Sequence, residues 1–310
     1  IGSYIIRHLP SYFKNSEIIL IDSLMTQRYS SLFNLPSNAV FKFIKSDLHD
    51  LDLVKLFYNI DFVIHLAAIT DASWSLKNVE EIEINNFQST KKVAEACGIN
   101  KCKLVSLSTT SVYGTLNETV DENCSKKDLR PQSPYAKSKL KEEKFLNNYN
   151  NSHNLDFISC RFGTIYGVSP GMRFHTAVNK FCWQASFNTP ITIWETAYDQ
   201  KRPYLDLKDA LRAIIFIIEN NIFDGEVYNI VSNCYTVRNI VELIKEFVPN
   251  LEIKFTKNEI MNQLSYEVLN TKFKSKGFSF NGNLKKGIME TIDLLMNKSK
   301  TMENHTLTKK

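Results

Sequence analysis

Residues 61–69, Asp-Phe-Val-Ile-His-Leu-Ala-Ala-Ile, are apolar almost without interruption, as are residues 17–22, Glu-Ile-Ile-Leu-Ile-Asp. A strand with one wet face alternates, whereas a strand covered on both faces runs continuously apolar, as in parallel sheets flanked by helices. Lys103–Ser108 and Asp156–Phe162 read the same way. Helix-length segments fall between and around these runs, at Ser3–Leu9, Leu51–Tyr58, Glu81–Cys97 and Tyr135–Tyr149. Strand and helix in alternation predict an α/β fold with a doubly wound parallel sheet.

Beyond about residue 168 the pattern changes to short mixed elements, although Asp209–Glu219 and Val227–Val231 supply one more helix and strand to return to the main sheet. The chain is therefore expected to divide into a larger doubly wound domain of 1–168 plus a returning segment at about 203–231, and a smaller α/β domain of 169–202 and 232–296. Residues 297–310 are polar without apolar periodicity and read as a loose tail.

At 310 residues the chain can bury a substantial core, and 43% hydrophobic with 23% charged residues places it among ordinary globular proteins. Its net charge of +5 comes from scattered Lys and Arg, which reads as a solvated surface and not a nucleic-acid face. No run approaches the ~18 apolar residues of a membrane span. The six cysteines form no Cys-x-x-Cys pair and the six histidines no ligand spacing, so reduced thiols, a cytoplasmic setting and no metal are expected.

A dinucleotide fold lays the pyrophosphate on a glycine turn at the first helix and binds ribose hydroxyls with an acid about 20 positions on. Asp22 stands 20 residues after Gly2, at the end of its run. A carboxylate there repels a 2′-phosphate and favours NAD over NADP.

Several further segments resemble, in order, those of the extended short-chain dehydrogenases/reductases, the NAD-dependent epimerase/dehydratase family. Ile1-Gly2-Ser3 is similar to the end of its Gly-x-x-Gly-x-x-Gly turn, which implies that a first strand and two glycines lie upstream. That strand would be central, next to the one ending at Asp22. Asp47-Leu48 resembles the pair that holds adenine, and His65-Leu66-Ala67-Ala68 the His-x-Ala-Ala segment beside the cofactor. Asn86 and Thr90 match its Asn-x-x-Gly-Thr helix, with Ser89 in place of the glycine. For His65 alone, a hydrogen-bonded core histidine is the plainer reading.

Tyr135 and Lys139 form a Tyr-x-x-x-Lys pair, but so do Tyr204 and Lys208. Pro134 suits a helix start, and four residues along a helix puts both side chains on one face. Tyr204 lies in a Tyr-Leu-Asp-Leu stretch that reads as extended, where four residues span roughly 13 Å. Tyr135 and Lys139 are thus the candidates. A tyrosine of ordinary pKa, ~10, needs roughly 4 kcal/mol of preference for phenolate to act as a base at neutral pH. A neighbouring ammonium and a positive nicotinamide are suited to supply it. The resemblance implies that Lys139 also holds the nicotinamide ribose. In Ser106-Leu107-Ser108-Thr109-Thr110-Ser111-Val112-Tyr113-Gly114, similar to the family's Ser-Ser-x-x-Val-Tyr-Gly strand end, Thr109 takes the place of the hydroxyl that meets the reacting oxygen.

Dehydratases of the family carry Asp-Glu after this threonine and decarboxylases a Glu two residues on, where this chain has Thr110 and Ser111. The resemblance therefore implies a nucleotide-sugar epimerase, acting at C4 through a 4-keto sugar. A ketoreductase or dehydrogenase of the same family, and a silent NAD-sensing protein, are the alternatives. On the substrate side, Arg161-Phe-Gly-Thr164-Ile-Tyr-Gly resembles an Arg-x-x-Asn-x-Tyr-Gly segment with Thr164 replacing the substrate-binding Asn. Arg202, in the element resembling Arg-x-(aromatic)-x-x-Val-x-Asp, and Arg173, in a Pro-Gly-Met-Arg-Phe loop expected over the nucleotide, are candidates for the diphosphate. Met261-Asn-Gln-Leu-Ser-Tyr266 offers no further arginine. A homodimer built on the helices around Glu81–Cys97 and Tyr135–Tyr149 is implied as well.

Overall fold

The computed structural model describes residues 1–114, 118–257 and 265–306, with backbone alone at Ala72, Ser73 and 297–306. At its centre is a four-stranded parallel sheet in the order Val227–Ile230, Phe157–Phe162, Lys103–Thr109 and Phe62–His65. Every residue of Phe157–Phe162 is buried, as is all of Lys103–Thr109 after its first residue. Continuous apolar character at these two strands thus reflects cover on both faces, and the returning strand takes the edge beside Phe157–Phe162.

A second parallel pair, Glu17–Asp22 with Val40–Lys45, stands apart. Its second strand reads Val-Phe-Lys-Phe-Ile-Lys and was not apparent from continuous hydrophobicity. Contrary to the both-faces-covered reading, Glu17–Asp22 is only half-buried at its centre and exposed at both ends. The physical reason is its position: among the described residues it pairs with Val40–Lys45 alone, while Phe62–His65 pairs with Lys103–Thr109 alone. Each strand therefore keeps an edge that no described strand fills.

The helices follow from local chemistry. Pro134–His153 starts at Ser133, whose Oγ accepts from Ala136 N at 3.2 Å, with Pro134 at the first helical position, and stops where Asn154 turns left-handed at φ 50°. Val79–Asn100 runs helical throughout but widens to a π turn at Glu83–Gln88. Leu207–Glu219 is capped by Asp206 and buries Leu211, Ile214, Ile215, Ile217 and Ile218 in the main core with Val105, Ile158 and Ile230. A separate core joins Ala177–Ser186, Val237–Phe247 and the start of Leu284–Thr306 around Phe181, Ile240, Ile244 and Ile288. That last helix runs into the stretch read as a tail; residues 307–310, and 261–264 of the Met261–Tyr266 segment, lie outside the described residues. Among the described residues no helix is long and apolar enough to cross a membrane.

Candidate active site

Parallel strands point their carboxyl ends the same way, and ligands of such sheets bind in the crevice beyond those ends. Asp22, His65 and Thr109 each terminate a strand. Asp22 is exposed and caps Leu24 N through Oδ1 at 2.7 Å. An exposed carboxylate at a strand end suits a ribose diol. Asp47 caps a short turn, accepting from His49 N at 2.9 Å, while half-buried Leu48 packs against the core formed by Leu53, Val93 and Leu104. Leu66, Ala67 and Ala68 follow the His65 strand with small or partly exposed side chains, and a Cβ on Gly2 would stand 3.4 Å from Leu66 Cδ1. The first helix and this loop therefore touch, as a crevice shared by the two would require.

Asn86 is fully buried in the π turn. Its Oδ1 accepts from Ile69 N at 2.8 Å and its Nδ2 donates to Ile69 O at 3.0 Å. With both ends of its amide engaged, Asn86 acts on the 66–69 loop by fixing it. π turns often mark functional sites, and here the widened turn is what carries the amide to that loop.

Tyr135 and Lys139 lie in the first two turns of one helix, on the face that the four-residue spacing predicts. The Tyr135 phenol hydrogen-bonds the Thr109 hydroxyl. Burial pushes the phenol above its ordinary pKa, Lys139 pulls it back, and Glu142 pushes it up again. Lys139 is 3% exposed and donates to Glu142 Oε2 at 2.8 Å. Burial works against its charge, but Glu142 and Tyr135 outweigh that, so it stays protonated more firmly than a free lysine. The other Tyr-x-x-x-Lys pair is split: Tyr204 is in the strand Lys201–Asp206 and Lys208 in the next helix, where it meets Glu290.

Thr110 and Ser111 are both present at the strand end, but Thr110 turns inward, its Oγ1 donating to Phe162 O at 3.3 Å. Ser111 N closes the turn onto Thr109 Oγ1 at 3.2 Å. Arg173 joins the group: it donates to Thr70 Oγ1 and is near enough to Tyr135 to bias the phenol toward its charged form. Its loop packs on the first helix, where Gly171 N donates to Ser3 Oγ at 3.1 Å, and on the turn at Tyr29–Leu32, where Arg28 Nη1 donates to Met172 O at 3.0 Å. A Cβ at Gly171 would lie 2.5 Å from Ser31 Oγ and 2.9 Å from Ser3 Oγ, so a larger residue there would have to displace both hydroxyls. Thr164 and Arg202 belong to a neighbouring sheet: Thr164 pairs with Tyr204, and Arg202 donates to Gln200 and lies over the Tyr266 ring. Tyr266 OH reaches the carbonyls of Thr110 and Tyr113 at 3.4 Å, which links Arg202 to the strand end through one ring.

Sequence reasoning left Glu142 and Glu143 without roles. Glu143 takes a bidentate bond from Arg161, at 2.9 and 2.7 Å, and Glu142 anchors Lys139. Carboxylates three and four residues after Lys139 on one helix were the available signal. His65 is the core histidine expected, its Nε2 3.0 Å from Thr90 Oγ1.

Residues 1–231 match the family described as the NAD dependent epimerase/dehydratase family. A Bacillus subtilis (strain 168) protein named as an uncharacterized UDP-glucose epimerase is 31% identical over 239 residues, 74% of this chain and 73% of its own length. The dTDP-D-glucose 4,6-dehydratase of Dictyostelium discoideum is 30% identical over 78% of this chain, which spans 59% of that protein's length. Among solved structures, a UDP-glucuronic acid 4-epimerase from Bacillus cereus in complex with UDP-glucuronic acid and NAD has a TM-score of 0.84, 26% identity and 96% coverage of both chains.

Proposed function

This chain belongs to the NAD-dependent epimerase/dehydratase family, and from that premise we propose that it is an NAD-dependent nucleotide-sugar epimerase acting at C4 through a 4-keto sugar. The observation that carries the reading is the meeting of Thr109, Tyr135 and Lys139, with no carboxylate at Thr110 or Ser111 beside them.

NAD fits the strand-end crevice in its donor set: Gly2 and the first helix under the pyrophosphate, Asp22 at a ribose, Asp47 and Leu48 at the adenine, and Leu66, Ala67 and Ala68 along its length. Asn86 holds the last of these loops, and Tyr135 and Lys139 meet the nicotinamide ribose. When bound, NAD supplies a reversible hydride acceptor. Tyr135 takes the C4 hydroxyl proton, Thr109 orients that oxygen, and the Lys139 ammonium favours the phenolate. Arg173 and Arg202 grip the diphosphate, and Thr164 lies on the sugar side. Eliminating water would need an acid and a base at the adjacent carbons. Thr110 offers neither, its hydroxyl being spent on Phe162 O. The ketone therefore has re-reduction as its main exit, and a sugar that turns over before it emerges as the epimer.

The reading includes four further parts. The cores around Ile214 and around Ile240 support a division into a dinucleotide domain, 1–168 with 203–231, and a substrate domain, 169–202 with 232–296, with exchange across the boundary, since Phe273 and Phe278 pack in the first core and Tyr166 and Tyr204 in the second. The unfilled edges of Glu17–Asp22 and Phe62–His65 support one further parallel strand between them, carrying the rest of the glycine turn. Exposed Val79, Ile84 and Ile99 on the 79–100 helix support a homodimer built on the helices around Glu81–Cys97 and Tyr135–Tyr149. Six unpaired cysteines support a cytoplasmic setting.

The test uses protein carrying that further strand and a panel of sugar nucleotides deuterated at C4. The expected product is the C4 epimer with its label retained at C4 and no net change in NADH. Label washout, a 4-keto-6-deoxy product or stoichiometric NADH rejects the reading.

A further inference from the structure

Glu142 is a buried carboxylate at the back of the site, 2% exposed, and three donors converge on it. Lys139 Nζ and Thr90 Oγ1 donate to Oε2, at 2.8 and 2.9 Å, and Ser138 Oγ donates to Oε1 at 3.0 Å. Because the Thr90 hydrogen is committed to Glu142, the Thr90 oxygen is left to accept, and His65 Nε2 carries the hydrogen in their 3.0 Å contact. That arrangement fixes the histidine tautomer and holds the carboxylate from a second helix, which His65 in turn braces from the Phe62–His65 strand. A carboxylate so fixed cannot swing away from Lys139.

Resting on the reading above, we propose that Glu142 is a positioning residue for proton transfer: it pins the Lys139 ammonium beside Tyr135 and offsets part of that ammonium's charge at the phenol, setting the pH at which Tyr135 becomes a base. The groups that face the pair are few. From their own helix come Tyr135 and Glu143, the latter bound to Arg161 of the adjacent strand. Phe62–His65 contributes His65, held neutral by burial and by Lys139. The loop after residue 168 contributes Arg173, which favours the phenolate. In this set Glu142 is the charge that opposes the phenolate, and Lys139 the stronger one that favours it.

The sign follows. A negative charge near a phenol disfavours its ionisation, so removing Glu142's charge lets Tyr135 ionise at lower pH. Glu142→Gln keeps the shape and takes away the charge. The acid limb of kcat/KM against pH is expected to move down by about one pH unit. Glu142→Asp, which restores the charge, is expected to bring the limb back toward that of the unaltered enzyme. The same shift should appear in the ultraviolet phenolate titration of each protein, read as the difference from its Tyr135→Phe counterpart.

That titration requires no turnover, so it separates the two ideas. A shifted titration with a different product overturns the epimerase reading and keeps the role of Glu142. An unmoved limb and titration in Glu142→Gln overturns the role. Equal displacement in Gln and Asp shows that shape and not charge matters, which overturns it too. Should Glu142→Gln not fold, Thr90→Val takes a hydroxyl dipole off the same carboxylate, and the limb is expected to move to higher pH. An unmoved limb there counts against the proposal.

Discussion

His65 makes stability depend on pH in a way that its surroundings allow to be worked out. It is 5% exposed, its Nε2–H is committed to Thr90, and the Lys139 ammonium is nearby. Burial first, and Lys139 second, lower its pKa to about 3, against an ordinary value near 6.5. The folded protein therefore keeps His65 neutral where the unfolded chain protonates it. The unfolded state binds the extra proton between about pH 6.5 and 3, so stability falls as pH falls through that window. At ~1.36 kcal/mol per unit, this one group removes about 2 kcal/mol between pH 7 and pH 5. Urea unfolding at pH 7, 6 and 5, with constant slope against denaturant, measures the loss. His65→Gln keeps a donor for Thr90 and cannot titrate, so its loss over the same interval is expected to be smaller by about that amount. Parallel curves for the two proteins would refute the reasoning, because every other titrating group is common to both.

Three further outcomes are expected. Tyr135→Phe should lower turnover by ~10²–10⁴-fold or more while NAD affinity, read by calorimetry, stays within a few-fold; Tyr204→Phe should cost far less activity, and the reverse ranking would show the wrong tyrosine had been chosen. Glu143→Gln should cost about 3–5 kcal/mol in urea unfolding, because Arg161 is left charged at 4% exposure, whereas Glu267→Gln, beside the half-exposed Lys201, should cost about 0–1 kcal/mol; equal costs would contradict the burial argument. Ile214→Ala, at a fully buried core position of the Leu207–Glu219 helix, should cost about 2–5 kcal/mol with kcat unchanged in the folded fraction.

The main sheet was legible because its central strands, Lys103–Thr109 and Phe157–Phe162, are covered on both faces, and such cover writes itself into sequence as unbroken apolar character. The Pro134–His153 helix was legible for a related reason: Ser133, Pro134 and the Tyr135–Lys139 spacing are all local, within two turns. Where cover is partial the signal fades. Val40–Lys45 carries lysines at two of six positions and passed unnoticed, and Glu17–Asp22 looked more buried than it is. Leu51–Tyr58 shrank to one helical turn, Leu53–Leu56, set by the Asp52 cap at its start. None of these segments carries, within itself, the information about what will pack on its second face.

The polar machinery behind Tyr135 failed to announce itself for a deeper reason. Glu142 draws its meaning from Thr90, 52 positions earlier, and Thr90 from His65, 25 earlier still. In the sequence, Ser138-Lys139-Leu140-Lys141-Glu142-Glu143 is a charged helical run of the kind that usually faces water. Yet Lys139, Glu142 and Glu143 are all buried, while Lys141 alone among the four charges reaches outward to Glu83. A buried charge is tolerable only when paired and hydrogen-bonded, and the partners here come from three other elements that the fold brings in. Spacing could say that Glu142 lies on the Lys139 side of the helix. It could not say that the face would be dry, and dryness is what turns a 2.8 Å surface-type ion pair into control over the acidity of the neighbouring phenol.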